Sequence, residues 1–113
     1  MTEISVGLSG GRAVSLTAAG HSGFEEAGSD IVCAGISALF QALVYGLETV
    51  LKAGAAEYSF SREETRMSVN WSKCRMHEAD VLAETMIGSM KAIARIYPEH
   101  VRIVEVRIDD LEL

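Results

Sequence analysis

Ile4-Ser5-Val6-Gly7-Leu8-Ser9-Gly10-Gly11-Arg12-Ala13-Val14-Ser15-Leu16-Thr17-Ala18 decides the fold class. Ile4, Val6 and Leu8 alternate with small or polar residues, and Val14, Leu16 and Ala18 do so again after Gly10-Gly11. A period of two puts each apolar set on one face of a strand, and adjacent glycines reach the positive φ angles of a primed turn. The stretch predicts a β-hairpin. Its two strands must pair antiparallel, which excludes an all-parallel sheet.

Working outward, Tyr58 and Phe60 alternate before the polar turn Arg62-Glu63-Glu64-Thr65, and Met67, Val69 and Trp71 alternate after it, which predicts a second hairpin. Between the hairpins, Val32, Ile36, Leu39, Leu43, Leu47 and Val50 recur at three- and four-residue spacing. They predict a helix over 30–52, with Ser29 or Asp30 as its N-cap and Gly54 beyond its end. Leu82, Met86, Met90, Ile93 and Tyr97 predict a second helix over 77–97, stopped by Pro98. A last strand is expected over 101–108, where Val104, Val106 and Ile108 alternate with Glu105 and Arg107. The order is β-β-α-β-β-α-β: an α+β fold with two helices packed on a mixed or antiparallel sheet, its strand order left open. With 113 residues and no linker or repeat, the expectation is one domain over 1–113.

Charge and composition narrow the function. The formal net charge is −6 and the ten Lys and Arg are scattered, so no basic face suits nucleic acid. An acidic surface instead attracts a basic peptide. No apolar run is read as long enough to span a bilayer, and the N-terminus lacks the regions of a signal peptide, so no membrane association and a cytoplasmic location are expected. Two cysteines in a reducing compartment are expected as free thiols.

The chemistry concentrates in Gly20-His21-Ser22-Gly23 and Gly28-Ser29-Asp30-Ile31-Val32-Cys33-Ala34-Gly35-Ile36-Ser37. Cys33 is expected in the first turn of the helix, where the dipole favours a thiolate. Asp30, Cys33 and Ser37 share one helical face. His21 sits between glycines, and a segment hinged at Gly20, Gly23 and Gly28 is long enough to return its imidazole to the thiol, completing a Cys–His nucleophilic pair. Free N–H groups at the helix start offer an oxyanion site. Each residue also has a plain structural reading: Cys33 as a small buried hydrophobe, His21 as a solvated loop residue, Asp30 as an N-cap, Ser37 as a helix contact. Cys74-x-x-His77 is too small a set for structural zinc, and Met86, Met90 and Trp71 read as core. A thiol redox sensor would need Cys74 as its resolving partner. No metal or cofactor is called for. The alternative to an enzyme is a catalytically silent dimeric interaction module whose glycine-rich loop binds a partner.

Gly20-His21-x-Gly23 followed by Gly28-x-Asp30-Ile31-Val32-Cys33-Ala34-Gly35-Ile36-Ser37-Ala38 closely resembles the signature of the ribosomal-processing cysteine protease family Prp. Length, element order and the Tyr97-Pro98 step before the last strand agree. The resemblance implies a homodimeric, cytoplasmic cysteine endopeptidase that removes a short N-terminal extension from large-subunit ribosomal protein L-twenty-seven. It also implies Cys33 as nucleophile and His21 as base, with Asp30 and Ser37 in supporting places.

Overall fold

The computed structural model describes residues 1–20, 27–54 and 56–108, and of residues 27–30 the backbone alone. The elements run β1 (Thr2–Ser9), β2 (Arg12–Ala19), α1 (Ala27–Tyr45), a π-helical turn (Gly46–Val50), β3 (Glu57–Ser61), β4 (Arg66–Asn70), α2 (His77–Ile96) and β5 (Val101–Arg107). The five strands form one sheet in the order β3-β4-β2-β1-β5. Every pairing is antiparallel except β1 with β5. The sheet is therefore mixed, and both hairpins stand as the alternation predicts.

Gly10 and Gly11 turn the first hairpin with φ of +59° and +81°, which an L side chain rarely adopts. The resulting register faces Ile4 with Ala18 and Val6 with Leu16. All four are buried on one face of the sheet and form a single core with Val32, Ile36, Phe40, Leu43 and Leu47 of α1 and Ala79, Ala83, Ile87 and Met90 of α2. The other face carries Ser5, Thr17 and Ser68 in one cross-strand row, with Thr17 Oγ1 3.3 Å from Ser68 Oγ. One apolar and one hydroxylated face explain why the helices pack on a single side.

Three expectations need correction. Helix α1 begins at Ala27, not Asp30, because packing overrides the weak helix preference of Gly28 and Ser29. Asp30 is thus inside the helix rather than its cap, and Gly28 belongs to the first turn instead of hinging a loop. Cys33 falls in the second turn, so the free N–H groups of the helix start precede it. At the other end the α-helix does not run on to Lys52. It widens at Gly46, where a Cβ would collide with the Leu82 side chain of α2, and Leu51 N–H bonds back to the Gly46 carbonyl at 2.8 Å. Lys52 at φ +51° ends it.

The third correction concerns hydropathy. The 20 residues Ile31–Val50 are long and apolar enough, by length and composition, to cross a membrane, with a mean hydropathy of 1.6. Their fully buried members, from Val32 to Leu47, instead face the sheet. Ile31, Tyr45 and Val50 stay exposed on the far side of the segment.

Candidate active site

Three strands and one helix enclose the thiol. Ala18, Met67 and Phe60 are cross-strand partners on β2, β4 and β3, and they floor a cavity of about 290 Å³. Cys33, Ser37 and Gln41, at successive four-residue steps along α1, line it from above with Ile36. Thr2, Gly20, Thr65 and Arg62 complete the described lining. The helical period is what aims these three side chains of a largely apolar helix at one space.

The mouth is fixed by backbone. Thr2 N–H donates to the His100 carbonyl at 2.9 Å, tying the start of β1 to the residue before β5. Gly20 N–H donates to the Thr65 carbonyl at 3.2 Å, tying the end of β2 to the β3–β4 turn. Gly20 has φ +93°, and a Cβ there would collide with the Met1 carbonyl oxygen. Only glycine fits this position.

The two cysteines differ in placement. Cys74 is 5% exposed and packs in the core, as a small hydrophobe does. Cys33 is free, half-buried and open to the cavity. The structure thus brings Cys33 and Ser37 together, and places Asp30 one turn before Cys33 by its backbone. His21 and Gly23 lie outside the described residues, as do Glu25 and Glu26, while Gly20, the residue before His21 in the chain, is on the cavity lining. Among the described residues no three potential ligands gather into a metal site. Sequence reasoning missed Gln41, Arg62, Thr65, Phe60 and Met67. Gln41 had a signal, since it continues the four-residue polar step from Cys33 through Ser37; the others owe their place to strand order.

A larger cavity of about 520 Å³ lies between the first hairpin turn and α2. Ion pairs occupy its walls: Arg12 with Asp80 at 2.7 Å and Lys91 with Glu105 at 3.3 Å. Its described lining carries no thiol or hydroxyl side chain, so size does not decide the site; the half-buried free thiol of Cys33 does.

A free thiol set in an open groove beside a strand edge, with polar helix residues at hand, is the setting of a thiol hydrolase. Comparison with known proteins makes that class specific. The chain belongs to the cysteine protease Prp family, whose family model matches residues 1–102, and it is accordingly a peptide hydrolase. No curated protein matches the chain. Among solved structures, a Streptococcus mutans protein shares the fold at a TM-score of 0.86 and 24% identity, covering 95% of each chain. The essential ribosomal processing protease Prp from S. aureus, in complex with a substrate peptide, matches at a TM-score of 0.85 and 21% identity over 94% of this chain and all of that one. The same S. aureus protease with a covalently linked product peptide matches at 0.78 and 22% identity, with the same coverage. At these identities the likeness is one of fold. Membership of a protease family displaces the silent interaction module.

Proposed function

We propose that this protein is a ribosomal protein-processing endopeptidase that removes an N-terminal extension from large-subunit ribosomal protein L-twenty-seven, using a His21–Cys33 dyad. The observation that carries the reading is the half-buried free thiol of Cys33 in a cavity walled by Ser37 and reached by the chain at Gly20, immediately before His21. Cys33 attacks the scissile carbonyl after passing its proton to His21, and protonated His21 then gives that proton to the leaving amine. A water molecule hydrolyses the resulting thioester and frees the thiol. The S. aureus relative crystallised with a covalently linked product peptide supports a covalent route.

Asp30, one turn before the thiol, is assigned to orient the imidazole, and Ser37 to hydrogen-bond the substrate. The oxyanion is expected to find donors other than the free N–H groups of Ala27 to Asp30, which precede Cys33 by a turn. The chemistry needs no cofactor. A homodimer belongs to the same reading and rests on the family resemblance. Action on a basic partner agrees with the net charge of −6, and a cytoplasmic location is part of the same proposal.

The test is incubation with ribosomal protein L-twenty-seven of the same organism, read by intact mass. Loss of an N-terminal peptide with the native protein and none with Cys33→Ala is expected. An unchanged mass with an enzyme that cleaves other peptides overturns the substrate.

A further inference from the structure

Strand β3 is the outermost strand on its side of the sheet. It pairs with β4 in unbroken register from Glu57↔Asn70 to Ser61↔Arg66, so half of its backbone N–H and C=O groups point outward without a described strand to meet them. Glu57 to Phe60 are all exposed, among them Tyr58 at 40% and Phe60 at 56%. Natural sheets guard such edges with charges, prolines, bulges or a covering segment. Within β3 the one charge is Glu57 at its start, paired with Lys73 at 3.9 Å, and there is no proline or bulge. The opposite edge, β5, is guarded: Arg102, Glu105 and Arg107 lie along it, with ion pairs from Arg102 to Glu3 and from Glu105 to Lys91.

The open edge leads into the thiol cavity. Tyr58, Phe60 and Arg62 alternate onto the helix-facing side; the Tyr58 ring lies 6.4 Å from that of Phe40, and Phe60 and Arg62 line the cavity. The cavity floor crosses the strands, from Phe60 on β3 through Met67 to Ala18 on β2. A chain added outside β3 is three strand spacings from β2, about 14 Å, which about four extended residues span. A substrate that crosses the cavity floor from Ala18 to the outer edge of β3 therefore does so in about four residues.

We propose that β3 is a docking strand for the substrate polypeptide: a segment about four residues from the scissile bond adds to its outer edge as a sixth strand, and the chain then turns along Phe60 into the cavity of Cys33. Main-chain pairing supplies affinity without regard to sequence, and Tyr58 and Phe60 cover every second substrate side chain. The occupant is the substrate rather than a second copy because the edge is continuous with the site where a peptide hydrolase must hold peptide. The inference rests on the protease reading and not on the identity of the ribosomal protein.

The test uses the full-length Cys33→Ala protein and a peptide that the native enzyme cleaves. That peptide comes from the start of the organism's ribosomal protein L-twenty-seven, or from a proteome-derived peptide library if the former is not cleaved. Two lengths are compared, one reaching eight residues to each side of the scissile bond and one reaching three. The long peptide is expected to slow amide hydrogen exchange within Glu57–Ser61 by about tenfold, while the short one leaves β3 unchanged. Backbone N-methylation of the long peptide in its remote segment should weaken binding about fivefold at alternate positions only. Equal β3 exchange with and without the long peptide overturns the proposal. So does concentration-dependent protection of β3 in the absence of peptide, which would give the edge to a second copy. Cleavage of library peptides but not of the ribosomal one removes the substrate proposed above and leaves the β3 result to stand or fall separately.

Discussion

Gly20 and Thr65 meet at the mouth of the thiol cavity, the Gly20 N–H donating to the Thr65 carbonyl at 3.2 Å, and both have left-handed backbone, φ +93° and φ +47°. Glycine takes such a φ freely and threonine only at a cost, and the two meet where the chain leaves β2 toward His21. The same contact therefore bears on stability and on activity.

Gly20→Ala is expected to destabilise the protein by about 1–3 kcal/mol, since alanine both resists the positive φ and meets the Met1 carbonyl oxygen. Urea unfolding checks the stability, and peptide turnover should fall with it. Unchanged stability would mean the mouth tolerates a different backbone path.

Thr65→Gly should act in the opposite direction. A β-branched residue at φ +47° is strained, and glycine relieves it by about 1 kcal/mol while keeping the carbonyl that accepts from Gly20. The readout is a higher urea midpoint at constant slope, and a lower midpoint contradicts the assignment of strain.

Cys33→Ala should abolish peptide cleavage and leave the fold intact, because alanine suits the helix and removes little volume. Circular dichroism and intact-mass cleavage assays check the two halves. Substantial residual proteolysis in the purified variant defeats the nucleophile assignment.

His21→Ala is expected to lower turnover by about a hundredfold or more and to slow Cys33 alkylation by iodoacetamide at neutral pH by about tenfold. Cys33 lies in the second turn of α1, and the helix dipole acts mainly within the first. The imidazole is therefore asked to carry most of the activation. Equal alkylation rates in both proteins would separate His21 from the thiol.

Arg12→Ala tests a support remote from the cavity. Arg12 Nε donates to Asp80 Oδ1 at 2.7 Å and its terminal nitrogen donates to the Cys74 carbonyl, joining the first hairpin to the start of α2. Its loss should cost about 1–2 kcal/mol and lower Tm by about 5–10 °C with thiol reactivity unchanged. Lysine should restore only part, because a single ammonium cannot reproduce the guanidinium fork.

Local periodicity was enough to read both hairpins, α2 and the last strand, since each depends on neighbours in sequence. Gly10-Gly11 marked its turn because two adjacent positive φ angles leave little alternative. The start of α1 was hidden because Gly28, Ser29 and Asp30 belong to residue types common in loops and caps, and tertiary packing draws them into the helix. Its π-helical end was hidden for a related reason: Gly46 is shaped by Leu82, a residue of the other helix. At the site, Cys33 and Ser37 were legible from helical spacing. Phe60, Met67 and Arg62 were not, because no local pattern says that β3 and β4 lie beside β2.

The parallel pairing of β1 with β5 makes one wall of the cavity depend on two distant parts of the chain. Thr2, on the cavity lining, is held by the carbonyl of His100, so β1 reaches its place in the sheet only when β5, almost a hundred residues further along the chain, pairs with it. The nascent chain can close its two hairpins and form α1 earlier, yet the edge of β1 stays open and the wall at Thr2 stays unpinned.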